Sequence, residues 1–165
     1  MKGKTTMFSA AFGWGLRSQL VVMKGDDEGP RGGVTATRYL EVLQEHLPDL
    51  LEYNTIFMQD NAPIHKARII KEWFKTSGVY VVDWPPYSLD LNPIKNLWKM
   101  LKAEIIRSHL EFITMKDNLS TKNHLIRCAM EAWDALKDGL LNKLASGMQK
   151  RVDAVIIANG WYTKY

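Results

Sequence analysis

Cysteine is nearly absent from this sequence: Cys128 is the only one in 165 residues. An internal disulfide is thereby excluded, and a reducing, intracellular compartment is the default expectation. No apolar run reaches the ~18 residues that a membrane-spanning helix requires, so no membrane partner is expected. The opening Met1-Lys2-Gly3-Lys4-Thr5 lacks the apolar stretch of a secretory leader. Internal repeats and low-complexity segments are missing too. What is present is the composition of a folded domain, 46% hydrophobic and 24% charged. Its length suits one domain, residues 1–165, with a sizeable core.

Nor is the charge one-sided, with 22 Lys/Arg against 18 Asp/Glu and a net charge of +4. Its distribution is uneven, however. Residues 1–94 hold 10 Lys/Arg and 11 Asp/Glu, whereas residues 95–165 hold 12 and 7. A basic second half can face phosphates through counterion release. It can equally be a solvated helical surface.

The hydrophobic pattern alternates between short and helical periods. Thr6–Phe12 and Gln19–Met23 read as two strands joined by Gly13-Trp14-Gly15. The polar stretch Lys24–Gly33, with Asp26, Asp27 and Glu28, reads as a loop of solvated acids. Thr35–His46 has the apolar spacing of an amphipathic helix ended by Pro48. Thr55–Met58 and Val79–Val82 read as buried strands, separated by a helix over Pro63–Thr76 with Gly78 just beyond it. Two such strands pair in parallel through a crossover. A helix from Pro93 carries Leu97, Trp98, Leu101 and Ile105. A polar patch, Thr114–Asn123, then precedes a helical region over 120–165, with a break expected at Gly139 and a stop at Asn159-Gly160. Together these elements indicate an α/β fold with a helical C-terminal extension. Trp73, Trp98 and Trp133 fall on apolar helical faces, whereas Trp14 and Trp84 lie in loops, open to packing or base stacking.

Two stretches carry chemistry. Asp60 follows the buried run Thr55–Met58, within Gln59-Asp60-Asn61-Ala62-Pro63-Ile64-His65. A carboxylate at the C-terminal end of a buried strand is where α/β folds place ligand chemistry, although Asp60 or Asn61 can also cap the helix that follows. His65 can approach a metal or phosphate, or be a hydrogen-bonded structural histidine. The second stretch is the proline loop Trp84-Pro85-Pro86-Tyr87-Ser88-Leu89-Asp90-Leu91-Asn92-Pro93-Ile94-Lys95-Asn96-Leu97-Trp98.

In combination, Asp60-Asn61-Ala62-Pro63-x-His65 and Pro85-x-x-Ser88-x-Asp90-Leu91-Asn92-Pro93-Ile94-x-Asn96-Leu97-Trp98 closely resemble the signature of mariner-type transposases of the Tc/mariner superfamily. The match is dense over residues 56–102, and Gly160-Trp161-Tyr162-Thr163-Lys164-Tyr165 resembles the C-terminal end of fungal members. The resemblance implies an RNase H-like fold of the DDE recombinases. It also implies chemistry in which three carboxylates hold two magnesium or manganese ions for cutting and joining DNA. Asp60 corresponds to the second carboxylate. The third falls after 34 intervening residues, where this sequence has Lys95.

An ammonium in place of a carboxylate changes the local charge by two units, and each unit interaction is about 4 kcal/mol at ~4 Å and an effective dielectric of ~20. A protonated lysine cannot ligate a metal, so Lys95 is expected to pair with Asp60 and leave at most a weak metal site at Asp60 alone. Glu104, Asp83 and Asp90 are not expected to substitute; Asp90, with Asn61, Pro63, Asn92 and Pro93, belongs to the supporting motif. The first carboxylate and first strand of the family pattern are expected upstream of Met1, which makes this an RNase H-like fold lacking its first strand. The expectation is therefore a degenerate or domesticated transposase domain, inactive, in the nucleus or elsewhere inside the cell, with no tightly bound cofactor. The alternatives are an active magnesium- or manganese-dependent DNA strand-transferase whose first carboxylate comes from elsewhere, and an oligomeric interaction scaffold without a DNA role. Its partners would be DNA, met through Lys66, Arg68, Lys71, Lys99 and Lys102, or a second molecule covering an exposed sheet edge.

Overall fold

The computed structural model describes residues 6–25, 33–51, 55–86, 88, 90–161 and 163–165. The loop acids Asp26, Asp27 and Glu28 lie outside the described residues, as do Tyr87, Leu89 and Tyr162 of the motifs.

The N-terminal hairpin forms as two short ladders. β1 (Met7–Ser9) pairs antiparallel with β4 (Val21–Met23), and β2 (Phe12–Gly13) with β3 (Leu16–Arg17). Ala10 and Ala11 separate the ladders on one strand, Ser18, Gln19 and Leu20 on the other. The second strand thus carries one extra residue, a bulge that bends the hairpin. Its backbone is satisfied locally, because Ser18 N donates to Ala11 O at 2.9 Å and Ala11 N donates to Ser18 Oγ at 2.8 Å. Gly15, at φ 67°, supplies the left-handed turn residue.

α1 (Ala36–His46) starts where Thr35 Oγ1 accepts the Arg38 N–H and stops before Pro48. β5 (Ile56–Phe57) and β6 (Tyr80–Val81) pair in parallel as expected, with α2 (Arg68–Ser77) between them. Neither is the buried strand expected: Ile56 is 59% and Tyr80 67% exposed, because among the described residues the pair forms a two-stranded sheet of its own. α2 begins five residues later than Pro63. The N–H groups of His65 and Lys66 both turn back to Ala62 O, at 2.9 and 3.2 Å, and Ala67 is extended (φ −58°, ψ 146°), which interrupts the helical ladder. Gly78 closes α2 in the left-handed region, φ 71°.

The rest is helical: α3 (Ile94–Ser108), α4 (Leu119–Asp134), α5 (Asp138–Ser146) and α6 (Met148–Ile157). α4 begins inside the polar patch because Asn118 Oδ1 accepts the Thr121 N–H at 2.9 Å. The breaks fall at Ala135–Lys137 and at Gly147, not at Gly139. Gly139 lies in the first turn of α5, where backbone N–H groups lack intrahelical partners in any case. Asn159 (φ 49°) and Gly160 (φ 82°) close α6 as expected.

Two apolar clusters hold these elements. One joins α3, α4, α5 and the hairpin through Leu20, Leu97, Leu101, Ile105, Cys128, Ala129, Trp133 and Leu141. α4 and α5 thus share the main core. Trp133 is fully buried, stacks on Trp98 at 5.8 Å and donates its Nε1–H to Ser18 O at 2.9 Å, pinning the hairpin bulge to α4. The second cluster packs Met23, Tyr39, Leu43, Leu47, Ile70 and Phe74 between α1, α2 and β4. Among the described residues the strands form three separate two-stranded sheets, and no helix is long and apolar enough to cross a membrane.

Candidate active site

β5 and its following turn deliver Asp60 to the floor of a groove of about 620 Å³. The hairpin residues Met7–Gly13 and the run Thr55–Asp60 both line it, and Trp98 and Met148 contribute from the helices. Its polar end is formed by Asp60, His65, Asn92 and Lys95. Lys95, in the first turn of α3, extends its Nζ to 2.7 Å from Asp60 Oδ2. On the other side, His65 Nδ1 lies 2.9 Å from Asp60 Oδ1 and 3.0 Å from the Asp60 carbonyl, and Ala62 N–H donates to Oδ1 at 3.2 Å. Both carboxylate oxygens are therefore engaged. Partial burial pushes the Asp60 carboxyl up, but the Lys95 hydrogen bond and charge, the Ala62 N–H and His65 together hold it below the usual carboxylate range.

Behind this pair lies a support from outside both motifs, Tyr39. Tyr39, from α1, packs its ring against His65 at 4.5 Å and donates its hydroxyl to Gln59 Oε1 at 2.7 Å. Burial raises the Tyr39 phenol well above its ordinary value, and the Asp60 charge adds to this. Asn61 Nδ2 donates to Trp84 O at 2.6 Å, which ties the Asp60 turn to the proline loop. Trp84 itself is buried, so packing accounts for it, whereas Trp14 is 67% exposed. Pro63 is exposed in the turn after Ala62.

The proline loop is held from the far end of the chain. Asn92 is buried and its Oδ1 accepts the Ile94 N–H at 3.3 Å, starting α3 together with Pro93 (φ −65°). Asp90 Oδ2 accepts from Thr163 Oγ1 at 2.7 Å and from Thr163 N at 3.1 Å. The buried Arg151 donates to Asp90 O at 2.6 Å and to Asn96 Oδ1 at 3.1 Å, with its guanidinium 4.8 Å above the Tyr165 ring. No local pattern announces Arg151, and the C-terminal motif that contains Thr163 does not announce its contact with Asp90; both lie more than fifty residues from their partners.

The candidate phosphate contacts Lys66, Arg68, Lys71, Lys99 and Lys102 are all exposed. Arg68 Nε lies 3.5 Å from Glu72 Oε1 within α2. On α3, Lys95, Lys99 and Lys102 recur at i, i+4 and i+7, so they share one face and form a row leading away from Asp60.

Among the described residues, the donors around Asp60 do not fit a two-metal centre. Hard dications need several anionic oxygens, and here Asp60 offers one carboxylate already held by Lys95, His65 and Ala62 N–H. Glu104 is turned to Arg107 on the exposed face of α3, Asp83 is exposed and Asp90 is bound to Thr163. Among the described residues, no group of three potential metal ligands includes Asp60.

Comparison with known proteins gives these geometries a context. Residues 28–119 match the family model for the DDE superfamily endonuclease. The Tc1 transposase of Caenorhabditis elegans is 37% identical over 112 residues, 67% of this chain and 37% of that protein. The Tcb2 transposase of Caenorhabditis briggsae is 34% identical over 110 residues, again 67% of this chain and 37% of that protein. This chain thus spans little more than a third of the length of these relatives. In structure it resembles the Mos1 transposase catalytic domain solved with raltegravir and manganese, at a TM-score of 0.62 and 19% identity, over 96% of this chain and 83% of that one. A pre-cleavage Mos1 transpososome gives a TM-score of 0.71 at 20% identity, over 96% of this chain and 45% of that one. The shared fold is the RNase H-like one.

Proposed function

The chain belongs to the DDE endonuclease superfamily, and on that premise we propose that it is a degenerate, domesticated transposase catalytic domain, unable to cut or join DNA and retained for binding. The observation that carries this reading is the ion pair between Lys95 Nζ and Asp60 Oδ2 at 2.7 Å. The ammonium neutralises the one motif carboxylate of the groove and, while protonated, has no lone pair with which to ligate a metal. A cation is thus supplied by the protein itself.

Nucleic acid is the favoured partner. Supporting this are the row Lys95, Lys99 and Lys102 on one face of α3 and the basic surplus of residues 95–165. The fold's solved relatives also include DNA-bound assemblies, such as a Mos1 paired-end complex with a left transposon end. We further propose that a second copy of the chain covers the groove between the hairpin and β5. Ile56 is 59% and Met7 51% exposed there, a costly display for large apolar side chains.

The test is to titrate manganese and DNA against the unmodified protein and against Lys95→Glu. The unmodified chain is expected to show no metal-dependent cleavage and to bind DNA with an affinity that falls steeply with salt. Manganese-dependent cleavage by the unmodified chain would overturn the inactive reading. Salt-insensitive or absent DNA binding would replace nucleic acid with protein as the partner class. Sedimentation velocity addresses the second copy, and a monomer at every concentration removes that part of the proposal.

A further inference from the structure

Away from the groove, two of the four histidines and the only cysteine of the chain meet at one place. His109 ends α3, and the tight turn Leu110–Ile113 that follows carries Glu111. His124 and Cys128 stand four residues apart on α4, a spacing that puts both on one helical face. The ligand atoms of His109, His124 and Cys128 all lie within 4.8 Å of one another. Glu111 Oε1 lies 3.1 Å from His109 Nδ1 and 3.9 Å from His124 Nε2. The two imidazoles are crossed at 81° with centroids 5.7 Å apart. Their side chains are 31% and 29% exposed, whereas Cys128 is buried at 4%. The cluster therefore opens to solvent on the histidine side and is closed by the core on the cysteine side.

We propose that His109, His124 and Cys128 bind a zinc ion, with Glu111 as the carboxylate that orients the histidines. Two imidazole nitrogens and a thiolate suit a borderline-soft dication and disfavour magnesium or calcium, which prefer oxygen. Bonds of ~2.0–2.3 Å in a tetrahedron set ligand atoms about 3.5 Å apart, so small side-chain rotations close the present cluster onto an ion. A carboxylate hydrogen-bonded to a ligating histidine fixes the ring and strengthens its donor nitrogen. The remaining coordination position faces solvent. Such an ion clamps the end of α3, the turn after it and α4, the helix that carries the core residue Trp133. This site is separate from Asp60 and independent of whether the groove is active.

Cobalt titration of the purified, metal-free protein tests it. Expected are the absorption of a tetrahedral cobalt ion with a thiolate-to-cobalt charge-transfer band, displaced by zinc, and a rise in Tm on adding zinc. Cys128→Ser should lose the charge-transfer band, and His124→Ala should weaken zinc at least ~100-fold and abolish the Tm rise. Glu111→Gln should cost about 10–100-fold, the usual range for an orienting partner. Should Cys128→Ser fail to fold by circular dichroism, the half-exposed His109→Asn variant provides the same zinc readout. A missing charge-transfer band in the unmodified protein, or undiminished zinc stabilisation in the histidine variants, overturns the site.

Discussion

Two motif aspartates, Asp60 and Asp90, follow the two parallel strands of the same half of the molecule, and the fold treats them differently. Asp60 faces a groove, and its partners are a lysine that is 42% exposed and a histidine five residues away. Asp90 faces the end of its own chain. Its carboxylate takes the Thr163 hydroxyl and N–H, and its carbonyl takes the buried Arg151. At Asp90, burial pushes the carboxyl up while the Thr163 donors and nearby backbone N–H groups hold it below its ordinary range. Both acids are thus kept ionised, one beside a partly exposed cation and the other inside a clasp. An ion pair that solvent can reach is replaceable, whereas a buried donor cannot be removed without orphaning its acceptors. The Asp90 clasp is architecture, and the Asp60 pair is the part of the groove that can change without unfolding the domain.

The comparison can be broken by substitution. The largest expected effect is at Arg151: Arg151→Met leaves Asp90 O and Asn96 Oδ1 without donors and should cost about 3 kcal/mol in urea unfolding. Next comes Asp90→Ala, which frees Thr163 and should cost about 2 kcal/mol, with faster proteolysis of the last residues as a second readout. Lys95→Met should cost less than about 1 kcal/mol, because the pair is partly solvated and screened by salt. If Lys95→Met destabilised the protein as much as Arg151→Met, the distinction between clasp and groove would fail. The smallest effect is on pH dependence. Both carboxyls lie below the ordinary value of about 4, so the stability they contribute is complete above that value and is lost as pH falls through their lower folded-state values. Asp60→Asn should therefore leave unfolding unchanged at neutral pH to within about 1 kcal/mol and flatten the acid limb below pH ~4, as followed by tryptophan fluorescence.

Much of this molecule was legible in the order of its residues. The positions of the strands at Thr55–Met58 and Val79–Val82, the stop at Gly78 and the start of α3 at Pro93 all follow from short-range chemistry, since periodicity and fixed backbone angles are local facts. The pairing of Lys95 with Asp60 bridges 35 residues and was expected only from the resemblance of the two motifs taken together. Two helix boundaries differ from the pattern because backbone conformation, which residue type does not fix, decides them. The turn that begins at Pro63, with the His65 and Lys66 N–H groups on Ala62 O, does not run on into α2 because Ala67 is extended. Gly139 did not break the C-terminal helices, because the first turn of α5 tolerates it.

The sequence by itself determined the family motif, the alternation of strand and helix, and the presence of a lysine at position 95 within the second motif, because each is written in adjacent residues. Only the tertiary structure decided which far-apart groups meet: Arg151 and Thr163 at Asp90, Tyr39 behind His65, and His109 beside His124 and Cys128. The spacing of His124 and Cys128 was visible on α4, but His109 lies fifteen residues earlier on another helix. Its arrival depends on the packing of α3 against α4 around Leu101, Ile105 and Ala129. The physical reason is the same in each case: burial of a shared apolar core fixes the relative positions of helices, and polar groups carried on those helices acquire their partners as a consequence.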